Sequence, residues 1–154
     1  MRILIVGATG FVGTRLTEAL HAAGHDVVAF SRSASRSAFP EGVEVFEGDL
    51  GDPMSVAGLC EDIDAAYYLI HSLTAENFAE LDRTYARRFR KLASEAGVDR
   101  VVYLSGISGD ERNLSPHLAS RREVESVLEA GDFDLTVLRA AIIIGAGSAS
   151  FRIV

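Results

Sequence analysis

The sequence predicts an α/β fold, a doubly wound parallel sheet with strand order 3-2-1-4-5-6. Three observations carry that prediction. Short apolar runs of strand length alternate with longer amphipathic stretches, the rhythm of strands joined by right-handed helical crossovers. Most of those runs are continuously apolar, as strands buried on both faces require. The exception is VEVF at 43–46, which alternates and so fits an edge strand, where the 3-2-1-4-5-6 order puts strand 3.

Taken in order, strand 1 is Ile3–Val6, and a glycine-rich turn follows it directly. Phe11, Val12, Leu16, Ala19, Leu20 and Ala23 then share one helical face, and Gly24 stops that helix. Strand 2 is Val27–Phe30 and strand 3 is Val43–Phe46. Asp52-Pro53 opens a short helix, with Asp52 as N-cap and Pro53 at the first position. Strand 4 is Ala65–Ile70. Phe78, Leu81, Tyr85, Phe89, Leu92 and Ala96 form a long apolar stripe ended by Gly97. Strand 5 is Val101–Leu104. Ser115-Pro116 opens the next helix, with Val124, Val127 and Leu128 inward and Gly131 closing it, and strand 6 is Leu135–Leu138. The apolar tail RAAIIIGAGSASFRIV that follows has no closing helix or strand. We therefore expect the 154 residues to be one domain, the N-terminal part of a longer protein that continues into a substrate-binding region.

Composition narrows the function classes. Net charge is −7, which argues against nucleic acid as a partner, because a phosphate backbone rewards clustered positive charge. No apolar run approaches the ~20 residues of a membrane-spanning helix. The N-terminus reads as a strand rather than a targeting segment, so the cytoplasm is the expected compartment. Cys60 is the single cysteine, so neither an internal disulfide nor a cysteine metal cluster is expected. Lys91 is the single lysine, and it sits in ARRFRK, a solvated helix face with no glycine loop before it. Chemistry that needs a lysine therefore has almost nowhere to go.

The turn after strand 1 reads Gly7-Ala8-Thr9-Gly10-Phe11-Val12-Gly13, a G-x-x-G-x-x-G pattern between a strand and a helix. Glycines there allow a tight turn and a close approach of backbone to a pyrophosphate, and the helix start adds free N–H groups and a positive dipole end. This is the Rossmann arrangement for binding a dinucleotide, with Gly7, Thr9, Gly10, Phe11, Val12 and Gly13 as the cradle. An NAD site places an acid at the tip of strand 2 to hold the ribose hydroxyls. Here that tip reads Phe30-Ser31-Arg32 with Arg36 nearby, and Asp26 lies at the opposite end of the strand. Ser31, Arg32 and Arg36 instead suit a 2′-phosphate, which favours NADP over NAD. Strand 3 ends in Gly48-Asp49-Leu50, where Asp49 could accept from an adenine amino group and Leu50 cover the ring.

These residues resemble the short-chain dehydrogenase/reductase superfamily in its extended or atypical branch. GATGFVG (7–13) and GDL (48–50) carry the general likeness. YYLIHS (67–72), SPHLASRREVE (115–125) and LRAAIIIGAGSASF (138–151) are similar to the NmrA-like NAD(P)-binding members, often described as epimerase-like or complex I 39-kDa-subunit-like. The resemblance implies a catalytic serine after strand 5, where Ser105 stands, and a Tyr-x-x-x-Lys on the next helix. That pair is missing. The tyrosines are 67, 68, 85 and 103, and none has a lysine four residues on. The equivalent helix carries His117 and Arg121, whose i, i+4 spacing puts both on one helix face. Arg121 can bind ribose hydroxyls but holds its proton too tightly to shuttle it. A neutral His117 in a first helical turn can exchange a proton near neutral pH. The resemblance also brings Ile70, His71 and Ser72 close to the cofactor and sets Ala140 and Ile142 beside the nicotinamide. By analogy, the helix bearing Arg83, Arg87, Arg88 and Arg90 is a homodimer surface.

The expected function is an NADPH-dependent oxidoreductase acting on a small carbonyl-type substrate, with Ser105, His117 and Arg121 as its catalytic residues. The altered Tyr-x-x-x-Lys pair leaves open a non-catalytic NADP(H) sensor or assembly subunit, and, less in keeping with the strand-2 tip, a nucleotide-sugar epimerase. The substrate is not legible.

Overall fold

The computed structural model describes residues 1–33, 39–72, 77–107 and 114–146. Six strands form one parallel sheet: β1 (Arg2–Val6), β2 (Asp26–Ser31), β3 (Glu44–Glu47), β4 (Ala65–Tyr68), β5 (Arg100–Gly106) and β6 (Asp134–Ala140), in the order β3-β2-β1-β4-β5-β6. Among the described residues, the connecting α-helices are α1 (Phe11–Ala22), α2 (Phe78–Ala96) and α3 (Pro116–Glu129). This is the predicted doubly wound topology, with β3 at one edge and the chain crossing from that edge back to the centre before β4. Among the described residues, no helix is long and apolar enough to cross a membrane.

The period-two alternation of side chains builds a core on each face. Leu4, Val6, Val28, Phe30, Ala66, Tyr68, Val101 and Tyr103 meet Ala86, Phe89 and Ala93 of α2 and Val124 and Leu128 of α3. Ile5, Val27 and Ala29 face the other way, against Leu16 and Leu20 of α1 and against Phe39. At the amino ends of the strands, Arg2 ties three of them together, donating to Asp26 at 2.7 Å and Glu44 at 2.6 Å. That pairing also accounts for Asp26, the acid at the far end of β2 from the glycine turn.

Several elements differ from expectation in their bounds. β4 leaves the sheet after Tyr68 rather than Ile70, because Leu69 and Ile70 bend across the glycine turn; Leu69 N–H still donates to Val6 at 2.9 Å. β5 and β6 run two residues further than their apolar runs, through Ser105-Gly106 and Arg139-Ala140, which are paired in register. A carboxylate on α3 accepts from the side chains of both Ser105 and Arg139. The short helix at Asp52-Pro53 is a single 3₁₀ turn, Met54–Val56, with Pro53 preceding it, while the Asp52 carboxylate accepts from Met54 N–H at 3.0 Å. β3 is shifted by one residue relative to Val43–Phe46.

Candidate functional site

The carboxyl ends of all six strands open onto one cleft of about 940 Å³. Its centre is the turn between β1 and α1. Gly7 has φ +97°, and a Cβ there would sit 3.3 Å from the backbone of Leu69. A Cβ at Gly13 would collide with the Gly7 carbonyl and come within 2.8 Å of the Ala8 Cα. Only glycine fits at 13, because the first turn of α1 lies directly on the turn before it. Gly10 caps α1 with no side-chain acceptor, and Thr14 N–H, bonded to Gly10 at 3.0 Å, is the first amide to close a helical bond. The earlier amides, on Phe11, Val12 and Gly13, border the cleft and have no intrahelical acceptor. These features fit a pyrophosphate: a floor without Cβ atoms, free N–H groups and the positive end of a helix dipole.

On the β1–β3 side, Ser31 and Arg32 line the cleft, with Arg32 exposed. The Ser31 hydroxyl lies 3.3 Å from that of Thr9, linking the glycine turn to the tip of β2. Arg36 lies outside the described residues. Asp49 and Leu50 also line the cleft. One oxygen of Asp49 accepts from Gly51 N–H at 2.7 Å, a turn bond that fixes its carboxylate. Tyr85 of α2 stands beside Asp49, and burial, then the Asp49 charge, raise its hydroxyl pKa. Sequence reading placed Tyr85 only in the apolar stripe. Arg88, one helical turn further on, donates to the Leu50 carbonyl and anchors that loop to α2.

On the β4–β6 side, Ile70, His71, Ser105, Arg121, Ala140 and Ile142 all line the cleft. Ser105 is 3% exposed, and its hydroxyl donates to Glu125 at 2.6 Å. Glu125, equally buried, also accepts from Arg122 at 2.9 Å and Arg139 at 2.8 Å. Burial alone would raise the Glu125 pKa, but hydrogen bonds from Arg139, Ser105 and Arg122 hold it below the usual carboxylate value. Sequence reading missed this cluster. Its signal was the polar pair Ser105 and Arg139 at the ends of two otherwise apolar strands. Arg121 donates to the Leu104 carbonyl at 3.1 Å, which sets its guanidinium at the end of β5.

The two histidines part company. His117 is exposed, stacks on Phe78 with ring centroids 4.6 Å apart, and is not among the residues that line the cleft. His71 does line it while remaining exposed to solvent itself, and partial desolvation first and the Arg121 charge second put its pKa below the ordinary value. The tyrosines do not replace it on this side. Tyr68 and Tyr103 are core residues 1% exposed, the Tyr103 hydroxyl being pushed up to about 12 by burial, and Tyr85 is on the Asp49 side. Beyond β6 the chain turns back toward α1, where Arg15, stacked on Phe11, donates to the Ala146 carbonyl at 2.6 Å.

Comparison with known proteins agrees with this geometry. A sequence model of a family described as NAD(P)H-binding matches residues 7–153. The chain is 31% identical over 150 residues to a ceramide reductase of Caulobacter vibrioides, covering 94% of this chain and 47% of that protein. It is 26% identical over 148 residues to the photosystem II assembly factor Ycf39 of Synechocystis, covering 92% and 44%. Among solved structures, the UDP-glucose 4-epimerase of Thermus thermophilus in complex with NAD superposes with a TM-score of 0.77 at 22% identity, over 90% of this chain and 54% of that one. The chain thus spans about half the length of the curated relatives it matches.

Proposed function

The chain belongs to the NAD(P)H-binding family, within the extended, NmrA-like short-chain dehydrogenases, and from that premise we propose that it holds NADPH for an oxidoreductase that reduces or forms a small carbonyl group. The observation that carries the reading is the single cleft joining an uncapped, glycine-floored helix start to the polar ends of β4, β5 and β6. When bound, the cofactor supplies the hydride. The α1 amides hold the pyrophosphate. Ser31 and Arg32 hold the 2′-phosphate, as no acid stands at the tip of β2. Asp49, with Tyr85 beside it, accepts from the adenine amino group, and Leu50 covers the ring. Arg121 binds ribose hydroxyls, while Ile70, Ala140 and Ile142 exclude water around the reacting carbon. Ser105 forms the floor. Its proton is directed to Glu125, so it offers the cleft lone pairs rather than a donor. His117 was the expected proton carrier, but it would have to leave Phe78 to serve. By their names, relatives such as the ceramide reductase and a 2′-dehydrokanamycin reductase support a reductase reading.

The test is NADPH consumption, followed by absorbance, against a panel of aldehydes, ketones and quinones. Consumption with any member supports the reading. Tight binding without consumption favours the second reading, an NADP(H) sensor or assembly subunit, for which the missing Tyr-x-x-x-Lys pair and the committed Ser105 proton speak. NAD that copurifies with the chain favours the epimerase reading.

A further inference from the structure

We infer that His71, at the end of β4, is the residue that exchanges the proton with the substrate oxygen. The inference rests on the NADPH reading above and adds the group that completes its chemistry. The topology divides the cleft at β1. The glycine turn, Arg32 and Asp49 take one half of a dinucleotide, so the reacting half lies over β4, β5 and β6. Among the described residues lining that half, the candidates for proton exchange are few. Arg121 does not release a proton near neutral pH, and the Ser105 proton is held by a buried carboxylate. His71 is the remaining titratable side chain there.

Its backbone is held from two sides. Leu69 and Ile70, just before it, lie against Gly7 at a distance only glycine tolerates with that φ. Ser72 N–H, just after it, donates to Asp82 Oδ1 of α2 at 2.8 Å, and the other Asp82 oxygen accepts from Ser120 of α3 at 3.3 Å. Asp82 is 5% exposed and so couples the His71 segment to both helices, including the one bearing Arg121. A catalytic group needs this kind of support to keep its geometry.

The charged and titratable groups that act on His71 are Arg121 and His117 from α3 and Asp82 from α2. Partial desolvation, then Arg121 and, more weakly, His117 oppose its protonation, and Asp82 favours it. The imidazolium is thereby a stronger acid than a free histidine. The balance in the direction of reduction is one hydride to the carbonyl carbon, from the C4–H bond of the dihydronicotinamide, and one proton to the carbonyl oxygen, from an N–H bond of the His71 imidazolium. The C=O π pair becomes the new O–H bond, and the imidazole recovers its proton from water. Oxidation reverses each step, with neutral His71 as the base.

The experiment uses the purified chain with NADP+ and NADPH, histidine C–H resonances read by NMR, and NADPH consumption with nitrobenzaldehyde, cyclohexanone and phenanthrenequinone. We expect saturating NADP+ to move the His71 resonance most among the four histidines, and the His71 midpoint without cofactor to lie below 6.5. His71→Gln should lower turnover about 100-fold with NADPH affinity within about threefold of the parent, and His25→Ala should leave turnover unchanged. The reduction rate should fall as pH rises through the His71 midpoint, and that limb should vanish in His71→Gln. His71→Asn, tested in parallel, separates a folding defect from a lost proton carrier. Three results overturn the proposal: cofactor binding that leaves the His71 resonance in place, turnover lost in His117→Ala but kept in His71→Gln, or binding with a moved resonance but no consumption of NADPH by any acceptor. Failure to bind either cofactor overturns the NADPH reading itself.

Discussion

Beside β1, β2 and β3 the cleft is built around a glycine turn, whereas beside β4, β5 and β6 its polar residues are held by ion pairs and hydrogen bonds behind the wall. The first half works by subtraction. Gly7 and Gly13 remove Cβ atoms so that α1, the turn and β4 approach one another closely and leave amides facing the cleft. The second half works by connection. Glu125 gathers Ser105, Arg122 and Arg139; Asp82 gathers Ser72 and Ser120; Arg121 reaches the carbonyl of Leu104. A backbone site fails at a single added methyl group, while a connected site should lose its function and its acid stability in steps.

The largest effect expected from that contrast is at Gly13. Gly13→Ala forces a methyl group into the Gly7 carbonyl. It should cost about 3 kcal/mol of stability by overpacking and remove NADPH binding, read by thermal unfolding and fluorescence titration. A Gly13→Ala chain that folds and binds normally would break the backbone half of the comparison.

Glu125→Gln comes next. It keeps the shape but removes the charge that two arginines share, and should cost about 2 kcal/mol. The Glu125 pKa is depressed in the fold, so its stabilisation is fully present above the unfolded carboxyl value of about 4.3. It is lost as pH falls through the lower folded value. The parent should therefore lose more stability than Glu125→Gln between about pH 5 and pH 3. Melting curves of both across that range check this, and parallel losses would show that Glu125 is not the group that titrates.

The same contrast explains what the sequence made legible. Glycines in a strand–turn–helix setting mark a tight turn, because the residue type itself is the device; Gly7, Gly10, Gly13, Ser31, Arg32 and Asp49 share one cleft. The strand order, too, followed from apolar runs and an alternating edge strand. The side-chain half was read by spacing, and spacing says only which helix face a residue shares. His117 and Arg121 do share a face of α3, but Phe78 of α2 takes the His117 ring while Arg121 reaches the cleft. Glu125 read as one acid in a polar run, because the two strand ends it joins are 20 and 14 residues away. The ends of β5 and β6 were missed because the apolar runs stop at Leu104 and Leu138 while the backbone ladder continues through Ser105-Gly106 and Arg139-Ala140, whose polar side chains meet Glu125.

The smallest effect expected is Ser115→Ala. The Ser115 hydroxyl accepts from Leu118 N–H at a long 3.4 Å, so losing this cap of α3 should cost about 0.5 kcal/mol and lower the melting temperature by roughly 1–2 °C. NADPH affinity should not move, because the α3 residues that line the cleft, Leu118 and Arg121, keep their side chains. A loss of affinity here would mean that the start of α3 supports the site more directly than the ion pairs do.

The most direct measurement is a titration of the chain with NADPH and with NADH, following nicotinamide fluorescence, beside an Arg32→Ala variant. The account predicts tighter binding of NADPH, with Arg32→Ala weakening NADPH about tenfold, the equivalent of about 1.4 kcal/mol, and leaving NADH unchanged. Equal binding of the two cofactors, indifferent to Arg32→Ala, would contradict the 2′-phosphate assignment, and binding of neither would contradict the cleft's role as a cofactor site.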